Sequence, residues 1–370
     1  MARLARADLF DPAEVSVFHC INRCVRRCFF CGDDPLTGIN YDHRKAWLEE
    51  RLRFLAGLFG IDVLNFAILS NHFHLVLRNR PDVVATWSDA EVAARWLRLC
   101  PLRKTPDGPL EPMAADVECV CRDPRRLATL RRRLSDISWF MRMIAEPIAR
   151  RANHEDRVSG RFWQGRFRAV KLCDEAAVLA CAVYVDLNPI RAGLAQTPEA
   201  SDFTSVQRRI QSLGGECGAH DRPDAWLSPL PVEERQPLQE SLPQHETVPH
   251  VGTVAPLDRN GVRKATSAAD KPVASGLPAR ASDNGYLPMS LADYLELVEW
   301  TGRQIVSGRR RIPEHVPPLP ARLGIAPSDW LPLVTGFGRL FHRVAGAPQS
   351  LTRLGNRHRF RPGRAALLGR

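Results

Sequence analysis

No part of the chain stays apolar for the roughly 18 residues that a membrane-crossing helix needs, so a helical span is excluded. The first ten residues, Met1 to Phe10, lack the apolar core of a secretion signal, and a cytoplasmic location is the expectation. A His-Glu-x-x-His run is also missing, and with it the simplest signature of a zinc hydrolase. Ten cysteines in such a chain read most simply as reduced thiols. Cys20, Cys24, Cys28 and Cys31 lie close together, but only Cys28-x-x-Cys31 has a common ligand spacing, and no second well-spaced Cys/His pair stands nearby. That turn reads either as a zinc site, to which Cys119 and Cys121 would have to return, or as unligated thiols.

What the chain does have is length and positive charge. Its 370 residues, 44% of them hydrophobic, suffice for two domains of ordinary size. A net charge of +11 without a membrane span points to nucleic acid as the polyanionic partner.

Alternation over Val15, Val17, His19 and Ile21 predicts a first strand, followed by a basic turn with Arg23, Arg26 and Arg27. Beside a metal site those arginines could grip phosphates; otherwise they are a solvated face. Asp42 is the expected N-cap of a helix over 44–59, stopped by Gly60. Ile61–Leu69 and Phe73–Arg78 predict a hairpin around Ser70-Asn71. Residues 80–122 read as a partly helical surface insertion. Asp123-Pro124 opens a predicted helix over 124–150, either lying on a sheet or forming a coiled-coil seam.

A fourth strand ends at Leu172, and Asp174 caps a helix carrying Ala177, Cys181, Tyr184 and Asn188 on one stripe until Pro189. This order suggests an α+β, ferredoxin-like antiparallel four-stranded sheet, with the helices at 44–59 and 124–150 on one face and a tyrosine-bearing helix added. Residues 1–211 form the expected catalytic domain. Residues 212–285, rich in Pro, Gly, Gln, Glu and Ser, read as a disordered linker, and 286–370 as a small helical, basic accessory module.

In an extended strand His72 and His74 share one face, while Phe73, Leu75 and Leu77 share the other. The pair is either a two-imidazole metal clip or two histidines on a half-buried strand. One helical turn separates Tyr184 from Asn188, so both could approach one point. If that point is a metal, two imidazole nitrogens and an amide oxygen leave positions open for a phosphate oxygen, and a tyrosine could attack the phosphodiester. Arg161, Trp163, Arg166 and Arg168 interleave arginines with aromatics. They suit a nucleic-acid surface, or else an edge strand with a buried Trp.

His72-Phe73-His74, then Phe162-Trp163-Gln164-Gly165-Arg166-Phe167, then Tyr184-Val185-Asp186-Leu187-Asn188-Pro189-Ile190-Arg191-Ala192-Gly193 resemble the REP-associated tyrosine transposases. These are relatives of the single-tyrosine His-hydrophobe-His transposases of insertion sequences, the insertion-sequence-200-like family. The resemblance spans about residues 15–210. It implies His72 and His74 as metal ligands with Asn188 as the third, magnesium or manganese as the metal, and Tyr184 as nucleophile. The implied substrate is single-stranded hairpin DNA, cut with a 5'-phosphotyrosine and a free 3'-hydroxyl. No organic cofactor is implied, and the protein would act as a monomer or a homodimer. The insertion, the cysteine-rich turn and everything after about 210 depart from the family pattern. The competing readings are a noncatalytic binder of hairpin DNA or RNA, and a metal hydrolase with another substrate.

Overall fold

A computed structural model describes residues 11–25, 31–33, 38–106, 108–214, 221–231, 278–306, 325 and 327–358. The alternating segment becomes β1 (Ser16–Arg23), which pairs antiparallel with β3 (His72–Asn79) on one side and β6 (Arg168–Leu172) on the other. Strand β2 (Ile61–Ile68) pairs antiparallel with the outer side of β3. The sheet is five-stranded rather than four-stranded. Its last member, β7 (Val344–Ala345), comes from the C-terminal segment and lies parallel to β6, giving the order β2-β3-β1-β6-β7. Two short strands, β4 (Lys104–Thr105) and β5 (Gly108–Pro109), form a separate hairpin.

Both faces of the sheet are covered. On one, Phe73, Leu75 and Leu77 pack in a single core with Leu48 and Leu52 of α1 (His43–Ala56) and Phe140, Ile144 and Ile148 of α6 (Ile137–Glu155). On the other, Val76, Val170 and Leu172 meet Leu179 and Val183 of α7 (Glu175–Asp186). The same core takes in Leu297 of α10 (Leu291–Val306) and Trp330 and Phe337 of α11 (Pro327–Leu340). Burying such side chains stabilises by roughly 1.5–3 kcal/mol each. The C-terminal segment is therefore not a module apart, because Leu297, Trp330 and Phe337 belong to the core of that sheet face. Helix α12 (Pro348–His358) follows β7, and the basic tail beyond it lies outside the described residues.

Several expected boundaries move, each for an identifiable reason. Helix α1 stops at Ala56, where the Arg95 guanidinium takes the carbonyls of Gly57 (2.7 Å) and Leu58. Asp42 precedes α1 without capping it, its carboxylate being paired with Lys45 at 2.7 Å. The expected 124–150 helix is two helices, α5 (Pro124–Arg133) and α6. The Leu134 carbonyl accepts from the Gly60 N–H at 2.8 Å instead of a following turn, and Asp136 caps α6 by accepting from Ser138 and Trp139.

The insertion contains α2 (Pro81–Thr86), α3 (Asp89–Leu99) and α4 (Ala114–Cys121), and it is more than surface. Val84, Val92, Trp96 and Val120 join the α1/α6 core. Much of the expected linker lies outside the described residues, but two pieces of it are placed against β2. Trp226 and Leu227 are buried, and Arg280 donates to the carbonyls of Ala225 and Leu227, both at 3.0 Å.

Candidate active site: three histidines and a tyrosine

Pairing of β1 with β3 sets His19 opposite Val76 and Ile21 opposite His74, so His19, His72 and His74 share the face toward α7. His19 Nε2 and His74 Nδ1 are 2.9 Å apart, and the two rings are nearly coplanar, 14° apart with centroids at 5.1 Å. The His72 and His74 rings meet edge-on at 4.8 Å. His72 Nδ1 lies 2.6 Å from Asn71 Oδ1, an oxygen that can only accept, so Nδ1 carries the proton and Nε2 keeps its lone pair. His74 Nε2 is buried and has no hydrogen-bond partner among the described residues. The hairpin turn is itself held, since Cys24 N–H donates to the Asn71 carbonyl and Cys31 N–H to that of Ser70, both at 2.9 Å.

Burial keeps these imidazoles neutral. It holds His19 down to about 3, with the charges of Arg168 and His72 adding to the effect. His72 is held at about 4 by burial and Arg23, and His74 well below the ordinary histidine value by burial and its charged neighbours. A neutral imidazole offers a lone pair.

Helix α7 begins where Asp174 accepts from Ala177 N–H at 2.9 Å and brings Tyr184 against the histidines. Its ring centroid is 5.6 Å from His74 and 5.8 Å from His19. The helix ends at Asp186, and Asn188 starts the short α8 (Asn188–Arg191) instead of continuing the expected stripe. Its amide nitrogen donates to the Tyr184 carbonyl at 3.1 Å, which turns the amide oxygen away from that carbonyl.

Two residues that sequence reasoning did not single out flank the tyrosine. The Arg191 guanidinium carbon lies 4.7 Å from the ring centre, and Arg191 also donates to the Thr335 carbonyl at 2.7 Å. The Phe337 ring of α11 also packs against the Tyr184 ring, with centroids 5.6 Å apart. A Cβ built on Gly338 would stand 2.7 Å from Tyr184 Oη, so the hydroxyl is seated against the backbone of α11 and Tyr184 is only 8% exposed.

Of the expected nucleic-acid contacts, Arg23, Arg161, Arg166 and Arg168 are exposed. Arg168 sits on the histidine face, opposite Ile21. Arg26 and Arg27 lie outside the described residues. Trp163 is corrected from surface to core: its ring meets Phe73 at 5.6 Å on the α1/α6 side, and its indole N–H donates to the Ala145 carbonyl at 2.7 Å. Cys20, Cys24 and Cys31 are buried, and Cys28 lies outside the described residues. Among the described residues no group of three or more His, Cys, Asp or Glu is arranged to hold a metal, and no helix is long and apolar enough to cross a membrane.

A mixed α+β sheet thus carries, on one face, a buried cluster of neutral imidazoles with a tyrosine set edge-on to it. No protein-family model and no curated protein matches the sequence. The chain is similar to a solved structure of a REP-associated tyrosine transposase bound to a REP hairpin. The identity is 12% over 53% of this chain and 79% of that one, with a TM-score of 0.31. At that level the likeness decides neither fold nor function.

Proposed function

We propose that this chain is a tyrosine transposase that nicks and rejoins single-stranded hairpin DNA, with Tyr184 as nucleophile and His72 and His74 holding magnesium or manganese. The observation that carries this reading is the convergence of the two histidines and Tyr184 on one sheet face. The strand order β2-β3-β1-β6 supports the ferredoxin-like form of the fold, and the +11 charge suits a polyanion.

The donor set fits a divalent ion. Both imidazoles are neutral, Asn71 engages Nδ1 of His72, and the buried Nε2 of His74 has no partner among the described residues. The Asn188 amide oxygen would be the third ligand, its nitrogen being held by the Tyr184 carbonyl. When bound, the ion would offset negative charge building up on the phosphate oxygens. The Tyr184 oxygen attacks phosphorus, the bond from phosphorus to the 3'-oxygen breaks, and the proton lost by the phenol is returned through solvent to that 3'-oxygen. The phosphotyrosine keeps the bond energy, and a 3'-hydroxyl attacking it releases the tyrosine and reseals the strand. Entry of the strand requires Phe337 and Gly338 to move off the Tyr184 hydroxyl.

That cover also favours the second reading, a binding protein without turnover. Purified protein incubated with labelled hairpin DNA from beside its own gene, with and without manganese, separates the two. The transposase gives a covalent protein–DNA band that needs the metal and is lost in Tyr184→Phe. DNA bound tightly with no covalent band in any condition leaves the binding protein.

A further inference from the structure

We infer that His19 is a positioning residue for the metal site, accepting the Nδ1 proton of His74 and so directing the His74 Nε2 lone pair at the ion. The inference rests on the proposed metal site and goes one shell beyond it. A metal-bound imidazole is usually fixed by a hydrogen bond from its other nitrogen, which sets both tautomer and ring orientation. For His72 that partner is Asn71, the residue before it. For His74 it is His19, on a different strand and 55 positions away, with its Nε2 at 2.9 Å.

Nδ1 of His74 is thereby used, and the nitrogen left is Nε2, which is buried and has no partner among the described residues. A ligand there needs the Nδ1–H tautomer, and that tautomer needs an acceptor opposite. The Nε2 lone pair of His19 supplies it. His19 is fixed in turn by the edge contacts of Tyr184 and Phe337, and its ring lies nearly coplanar with that of His74, 14° apart, as an in-plane hydrogen bond requires. Its Nε2 is committed to His74, so it is not itself a ligand through that atom.

Manganese binding to the full-length protein, measured by calorimetry, tests this without recourse to cleavage. His19→Phe keeps a ring in the pocket and removes the acceptor, while His19→Gln restores an acceptor near the position of Nε2. The expectation is one manganese site in the wild type, binding weaker by about 10–100-fold in His19→Phe, and recovery of most of that loss in His19→Gln. Nitrogen NMR of the metal-free wild type provides a readout that does not depend on how the variants fold, with His74 expected as the Nδ1–H tautomer. A His74 protonated on Nε2, or a folded His19→Phe that binds manganese like the wild type while His74→Ala does not bind it, overturns the role of His19 alone. A folded wild type that binds no manganese overturns the metal site itself and this role with it.

Discussion

At the scale of single residues, the contact between Tyr184 and Gly338 ties the reactive hydroxyl to the C-terminal segment. Alanine is preferred to glycine inside a helix by about 1 kcal/mol, so Gly338→Ala would stabilise α11 if nothing stood in the way. With the hydroxyl 2.7 Å from the added carbon, overpacking of about 1–3 kcal/mol is expected instead. In a Tyr184→Phe background the oxygen is gone, and the same substitution should become neutral or stabilising. Urea unfolding of the four proteins gives the coupling; additive free energies would show that the hydroxyl is not held against α11. Trp163 makes the opposite case, a residue whose sequence setting suggests a surface. Its burial and its bond to Ala145 predict that Trp163→Ala lowers stability by about 3–5 kcal/mol. A Trp163→Ala protein with the unfolding midpoint of the wild type would return the indole to the surface.

At the scale of elements, α7 is held in place by a polar network inside an apolar layer. Asp186, fully buried at its C-terminal end, accepts from Asn65 of β2 at 2.9 Å and from the Tyr294 hydroxyl of α10 at 2.5 Å. It also accepts from Ser205 and from Val206 N–H, in α9 (Ser205–Leu213). Burial raises the pKa of this carboxyl, while nearby Arg209 and the hydrogen bonds act against the rise. Because the network joins α7 to β2, α9 and α10, it fixes the helix that carries Tyr184. Tyr294→Phe removes one donor from a buried carboxyl, and a loss of about 1–3 kcal/mol is expected. Thermal unfolding checks it, and a Tyr294→Phe protein as stable as the wild type would mean that Asp186 does not depend on that hydroxyl.

At the scale of the whole molecule, the chain is a sheet sandwiched between two helical layers, and the second layer is completed only near residue 345. Cutting the chain after residue 231 would strip Tyr294, Trp330, Phe337 and Phe341 from α7 and β6 and remove β7 from the sheet edge. A large apolar face left open favours association. The shortened protein is expected to be aggregated or unfolded when expressed, although it contains every proposed catalytic residue. A soluble 1–231 chain with the cooperative unfolding of the full protein would restore the catalytic domain and accessory module as separate units.

Local signals determined much of this protein. The alternation through His72 and His74 places both on the face away from α1 and α6, as strand geometry requires. Asp123 and Asp174 cap helices because a carboxylate at that position can meet the free N–H groups of the first turn whatever surrounds it. The break at Leu134 was hidden because a helical stripe continues through it, and the group that stops the helix, the Gly60 N–H, lies far back in the chain. His19 was legible only as one member of an alternating strand, since its meaning depends on the pairing that sets it diagonally across from His74. Tertiary structure alone decided that Trp163 is core and that α11 covers the tyrosine. Periodicity and capping are properties of neighbouring residues, whereas these contacts join residues as distant as 19, 74, 184 and 337, and only the closing of both sheet faces brings them together.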